Sequence, residues 1–336
     1  VASRAHGSIW LYAFLYFAGY APYTALTKAL SSGMLGFDPV SGPALLPLSS
    51  VASLVVVALF LGGTGWWRSA TRGSLFGRKI PIPTRWTALS GLCSAVILTT
   101  TTLAYTFEDV SIVFVMLLMR GGVLVIAPIV DALSGRKTRW FSWAGLAFSF
   151  AALFVVFFER SGFDLSFWAG LDVGLYLIAY FIRLQFMSRL AKSNDVEQTK
   201  RYFVEEQLMT TPASFVILIA AALIGQGFFM EEVRVGFTEV FASDVALYVF
   251  ALGTLSQLVG IFGTLVFLDP RENTFSVPVN RCSSVLAGVV ASTGLAIVLD
   301  AEYPSAGELG GAGLVVVAIL FLTLGPAYEK RRAAKA

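Results

Sequence analysis

The sequence predicts an all-α polytopic membrane protein: ten transmembrane helices in two inverted five-helix repeats, with both termini cytoplasmic. Three observations carry that expectation: the composition, the recurrence of span-length apolar stretches, and the placing of positive charge between them. Of the 336 residues, 57% are hydrophobic and 13% charged, where a soluble domain carries roughly a quarter charged residues. Apolar stretches fall at 8–30, 43–64, 86–106, 110–132, 139–158, 165–190, 201–226, 241–267, 274–299 and 306–326. Each is close to the ~20 residues that cross a bilayer as a helix. The opening VASRAHG leads straight into the first stretch, which is expected to act as its own insertion signal.

The loops test the count independently. One alternate set holds Arg68, Arg72, Arg78, Lys79, Arg85, Arg136, Lys137, Arg139, Arg189, Lys192, Lys200, Arg201 and Arg271, with Arg4 before the first span and Lys330, Arg331, Arg332 and Lys335 after the last. The other set holds only Arg160 and Arg234, amid acids such as Glu108, Glu159, Glu231, Glu232 and Glu302. Basic loops stay cytoplasmic, and a miscounted helix would scramble the alternation. The net charge of +3 is thus a topology device. The partners it implies are the lipid bilayer and a small solute, with no nucleic acid, for a monomer or homodimer. A plasma (inner) membrane is expected, and an organelle membrane is compatible.

Cys93 and Cys282 lie inside apolar stretches, so no disulfide framework is expected, and His6 is in the N-terminal tail. With no metal-ligand cluster, no nucleophile–base pairing and no phosphate-binding Gly-Lys-Ser/Thr loop, neither an enzyme nor a nucleotide-driven pump is expected. No cofactor or metal is implied.

Glu108 precedes Arg120 by twelve residues, and Asp269 precedes Arg281 by twelve. Tyr12, Tyr16, Tyr20 and Tyr23 in the first predicted helix have the spacing of Asp172, Tyr176, Tyr180 and Arg183 in the sixth. Each quartet lies on one helical face. The two features share an offset of 160 or 161 residues, which divides the chain into repeats at 1–160 and 161–336. Five is odd, so the copies sit upside down relative to each other, with a shared cavity near the midplane.

Arginine within an apolar span, as in VFVMLLMRGGVLVIAP (113–128), costs ~2.5–3.5 kcal/mol on insertion scales. Arg120 therefore either pairs with a carboxylate, such as Asp172 or a glutamate of the seventh helix, or binds an anion in the cavity. Arg281 in the ninth helix, three residues after a proline, is its equivalent. Two guanidiniums converging from opposed repeats would clamp a phosphate or carboxylate. Glu205 and Glu206 open the seventh helix and point about 100° apart, so at most one faces the cavity. The two acids either form a solvated helix entrance, or the one facing the cavity couples transport to protons or receives donor groups of the substrate. Asp172 and Arg183 are further candidates for substrate or interhelical contacts. Tyr16, Tyr20 and Tyr23 run too deep for an interfacial girdle, and their hydroxyls favour a polar cavity wall. Tyr176 and Tyr180 are their counterparts. Pro22, Pro128 and Pro212 read as kinks.

Ten helices in inverted five-helix repeats with both termini inside resemble the drug/metabolite transporter superfamily. NTFSVPVNRCSSVLAG (273–288) is similar to the ninth-helix segment of its nucleotide-sugar and triose-phosphate branch. The resemblance implies that Asn280 and Arg281 grip the phosphate end of a substrate, with Arg120 as a second cation. The branch's aromatic pair and two asparagines in the seventh helix are replaced by YFVEEQ (202–207), which argues against nucleobase recognition. The expected function is alternating-access transport of an anionic or phosphorylated metabolite, by exchange. The alternative is proton-coupled export of amphipathic or amino-acid-like solutes through Glu205 or Glu206.

Overall fold

The computed structural model describes residues 9–75, 78–103, 112–158, 166–193 and 195–333. Glu108, Arg160 and His6 lie outside them. The described chain forms α1 (Ile9–Ser31), α2 (Gly42–Thr64), α3 (Arg85–Leu103), α4 (Ile112–Leu133), α5 (Trp140–Phe158) and α6 (Phe167–Leu190). It continues with α7 (Val196–Ile224), α8 (Gly227–Thr238), α9 (Ala246–Phe267), α10 (Asn273–Leu299) and α11 (Ala306–Ala333).

Two features depart from the sequence expectation. A short antiparallel hairpin, β1 (Arg72–Leu75) with β2 (Arg78–Pro81), occupies the link between α2 and α3. The described helices also number eleven, because α8 forms where a loop was expected. Its twelve residues rise only ~18 Å, too little to cross the ~30 Å hydrocarbon core. It packs on α2 instead, where Gly236 lies so close to the Ala44 carbonyl that a Cβ would come within 2.4 Å of it. Helix α7 starts at Val196, earlier than expected, because Asp195 Oδ1 accepts from the backbone N–H groups of Glu197 (2.9 Å) and Gln198 (3.4 Å).

Among the described residues, seven helices, α2, α3, α6, α7, α9, α10 and α11, are long and apolar enough to cross a membrane, and α5 carries a shorter apolar stretch over Trp140–Val155. Burial runs opposite to a soluble protein. Leu59, Leu223, Leu247 and Val298 are each more than two-thirds exposed. Ser90, Asp131, Glu206, Asn273 and Thr274 are fully buried. In water such an apolar exterior would be a patch demanding a partner; in a bilayer it faces lipid, and polar groups turn inward. The chain is an integral, multi-pass, all-α membrane protein.

Helix α1 packs on α9 and α10, and α6 packs on α3 and α4. Likewise α2 packs on α9, and α3 on α7. Two glycines set the latter pair of contacts. A Cβ on Gly253 would come within 2.3 Å of the Ser49 carbonyl oxygen, and one on Gly91 within 2.9 Å of the Glu206 carbonyl oxygen. Backbone cannot yield as a side-chain tip can, so Gly253→Val is expected to destabilise by about 1–3 kcal/mol. Thermal unfolding in detergent checks this against Gly294→Val, whose Cβ meets nothing within 4 Å.

The links α2–α3, α4–α5, α6–α7 and α9–α10 gather at one end of the bundle and carry the basic residues. Asp131, at the end of α4, accepts from the backbone N–H groups of Asn273 and Thr274 and from both their side chains, at 2.7–2.8 Å. It thus serves as a remote N-cap for α10. Arg136 donates to the carbonyls of Pro270, Ser188 and Lys192, and Asn273 Nδ2 also donates to Ser188 Oγ at 2.7 Å. Lys192 Nζ donates to the Arg271 carbonyl (3.0 Å) and Ser276 Oγ (2.9 Å).

Burial pushes the Lys192 ammonium down to about 7, against the pull of Asp131 and Asp269. An unfolded lysine titrates near ~10.4, so between pH ~7 and ~10 the unfolded chain binds a proton the native state lacks. Native stability therefore rises with pH across that window, and below it the cost of burying the charge is fully present. Melting temperature should climb from pH 7 to 9 in the wild type, with a visibly flatter slope in Lys192→Met.

Candidate functional site

A partly open cavity of about 200 Å³ lies between α1, α2, α3, α6, α7, α9 and α10, its apolar wall set with hydroxyl, amide and guanidinium side chains. Its charged wall comes from α6 and α10. Arg281 is buried, with its guanidinium over the Tyr180 ring at 5.2 Å from the centroid. Its Nη2 donates to Tyr176 Oη at 3.4 Å, while its Nε is buried with no hydrogen-bond partner. Among the described residues no carboxylate pairs with it. Gly263 on α9 makes room opposite: a Cβ there would meet the Tyr16 ring at 3.0 Å and Asn280 Nδ2 at 3.4 Å.

Arg183, about one turn past Tyr180 on the same face of α6, is neutralised. Its Nε donates to Glu206 Oε1 at 2.9 Å, and its Nη2 to Glu206 Oε2 (3.3 Å) and Thr264 Oγ1 (2.9 Å). Ser90 and Ser94 of α3 also donate to Glu206 Oε1, at 2.8 and 3.2 Å. Ser90 Oγ lies 2.6 Å from Tyr202 Oη. Both Glu206 oxygens and the Nε and Nη2 of Arg183 are thus hydrogen-bonded, the kind of extra bonding under which a buried ion pair is tolerated.

Of the residues singled out in the sequence, Tyr16, Tyr180, Arg183, Asn280 and Arg281 line the cavity. Tyr176 packs at a tilt against Tyr180, with ring centroids 4.8 Å apart. Tyr20 packs at a tilt on Tyr16 with ring centroids 5.3 Å apart and edge-on to Tyr23 at 5.8 Å, and accepts from Arg120 Nη2 at 3.4 Å. Arg120 is half-buried and not part of the lining, yet Tyr16 and Tyr176 lie within electrostatic reach of both Arg120 and Arg281. Of the two glycines after Arg120, Gly122 admits the Leu177 side chain of α6, which a Cβ would approach to 2.5 Å.

The two glutamates part company. Glu205 turns away from the cavity and ties the α2–α3 link, accepting from Thr71 N (3.0 Å), Thr84 N (3.1 Å) and Thr87 Oγ1 (2.7 Å). Asp172 is also outside the cavity, its carboxylate oxygens buried with no hydrogen-bond partner among the described residues. Asp269 is occupied by Arg271, at 2.7 and 3.0 Å, so on that side the twelve-residue spacing marks a loop anchor.

The sequence reading overlooked the neutral wall. Gln207, Thr210, Thr211 and Ser214 of α7 line the cavity with Ser50, Ser53 and Gln257. Their 207, 210, 211, 214 spacing places them on one helical face, a signal present in the sequence but overshadowed by the adjacent glutamates.

No family model and no curated protein matches the chain. A solved structure described only as "Crystal structure of protein" is similar over 95% of this chain and 97% of its own, with a TM-score of 0.59 at 17% identity. At that identity the likeness bears on the fold alone: this chain takes the overall course of a bundle already seen in a solved structure.

Proposed function

We propose that the chain is a secondary transporter that moves a small organic anion by alternating access, with Arg281 holding the anion. The observation that carries this is the buried, unmatched Arg281 cation on the wall of a cavity set with hydroxyl and amide groups. A lone buried charge is costly, and an anionic solute would supply the missing partner. Exchange of one such anion for another would keep the site neutral in both orientations.

The packing supports ten spans in two inverted halves within a single transport domain. Exchanging the halves turns the α1–α9 contact into α6–α3, α1–α10 into α6–α4, and α2–α9 into α7–α3, and all of these pairs are packed. The glycines at the α2–α9 and α3–α7 contacts, Gly253 and Gly91, are related by the same exchange. This architecture is the reason for placing the chain beside the drug/metabolite transporter superfamily. The collection of basic links at one end supports cytoplasmic termini. Arg120, outside the cavity lining, is in electrostatic reach of the same tyrosines and holds Tyr20 behind the site. The proton-coupled alternative has less to draw on, because Glu205 and Glu206 are both engaged.

Purified protein in liposomes preloaded with an unlabelled organic anion tests this. Labelled anion outside should enter by counterflow and be indifferent to a pH gradient. Accumulation that requires a proton gradient, with no counterflow, would overturn it.

A further inference from the structure

Resting on that reading of the site, we infer that the solute is a compact monocarboxylate whose far end is neutral and hydrogen-bonding, read by the Gln207–Gln257 amide pair. Three observations converge on that chemistry.

The first is charge. Two arginines line the cavity, Arg183 and Arg281. Glu206 balances the former through two hydrogen bonds, which leaves one positive charge to match. A carboxylate matches it. A phosphomonoester, at about −1.5 to −2 near neutrality, brings more negative charge than the lining balances. A solute ammonium would find its nearest acid, Glu206, already holding Arg183, Ser90 and Ser94.

The second is the opposite pole. Gln257 Nε2 donates to Gln207 Oε1 at 3.1 Å, and both side chains are buried at the cavity wall. Gln207 Nε2 and Gln257 Oε1 take no other partner among the described residues, so the pair offers one donor group and one acceptor together. A hydroxyl or carboxamide satisfies both; a methyl group satisfies neither.

The third is size. Gly263, at the level of Tyr16 and Asn280, is six residues beyond Gln257, about 9 Å along α9 at 1.5 Å per residue. Ile97 and Val259 supply apolar wall to the same cavity, suited to a short methylene chain. A cavity of about 200 Å³ with its two poles this far apart suits an acid of about five carbons.

The test is calorimetric titration of the full chain in detergent with 5-hydroxypentanoate, pentanoate, 5-aminopentanoate and glycerol 3-phosphate. The hydroxy acid should bind about five- to tenfold more tightly than pentanoate, the worth of one satisfied hydrogen bond, and the amino acid more weakly than either. Gln257→Leu should bring the hydroxy acid down to the level of pentanoate while pentanoate binding persists, which also shows that the variant is folded. Equal binding of hydroxy acid and pentanoate by the wild type, or a preference surviving in both Gln257→Leu and Gln207→Leu, overturns the inference. Tighter, Arg281-dependent binding of glycerol 3-phosphate overturns it too, but leaves the anion site standing. If no anion binds and Arg281→Met changes nothing, the anion site falls with it.

Discussion

Arg281→Met should reduce anion counterflow at least about thirtyfold, because truncating one side of a buried charge pair costs ~2–5 kcal/mol of binding. It should do so without loss of stability. Methionine keeps much of the side-chain volume against Tyr180, and the substitution removes a buried cation that no carboxylate balances in the described structure. Melting temperature of the solute-free protein should therefore hold or rise, as expected where function requires a group that folding does not. A purely structural arginine predicts the reverse, a protein that melts early or fails to insert. The two readouts, counterflow and melting, separate these outcomes in one variant.

Glu206→Ala should do the opposite. It leaves Arg183, 8% exposed at its side chain, charged and unpaired between α3, α7 and α9. Breaking one side of a buried ion pair typically costs about 3–5 kcal/mol. Ser90 and Ser94 lose their common acceptor as well, and with it the anchor of the Ser90–Tyr202 hydrogen bond. Melting in detergent should fall steeply, and adding Arg183→Met should recover most of the loss, because the neutral double variant carries no stranded charge. Failure of the second substitution to rescue would mean that Glu206 acts chiefly through the serines.

Much of the fold was legible because the bilayer makes it so. Each expected apolar stretch coincides with a described helix, since a chain in hydrocarbon must satisfy its backbone internally. Helix α8 was missed because its apolar residues lie on one face of a segment too short to span. The site was legible where charge interrupts apolar sequence, at Arg183, Glu206 and Arg281. What the sequence left open was pairing. Nothing in the spacing says that Glu206 turns to Arg183 while its neighbour Glu205 caps the α2–α3 link; that follows from where α3 lies against α7. Asp131 was unreadable for the same reason, since its partners at the start of α10 are 142 residues away.

That same Asp131 cluster, with Arg136 and Lys192, clasps α4, α6 and α10 by charge-assisted hydrogen bonds at the basic end. The other end is joined by apolar packing around Leu45, Leu48 and Val249, and by Ser41 bonded to Glu232. For a carrier of the kind proposed, such unequal fastening makes the two membrane faces kinetically different surfaces. Solute arriving at the clasped face meets only the fraction of molecules open there, and its apparent affinity is lowered by that fraction. Each 1.4 kcal/mol by which the clasp outweighs the opposite closure is a tenfold difference in half-saturation between the faces. The same binding site would then serve as a sensitive receiver on one side and a ready releaser on the other.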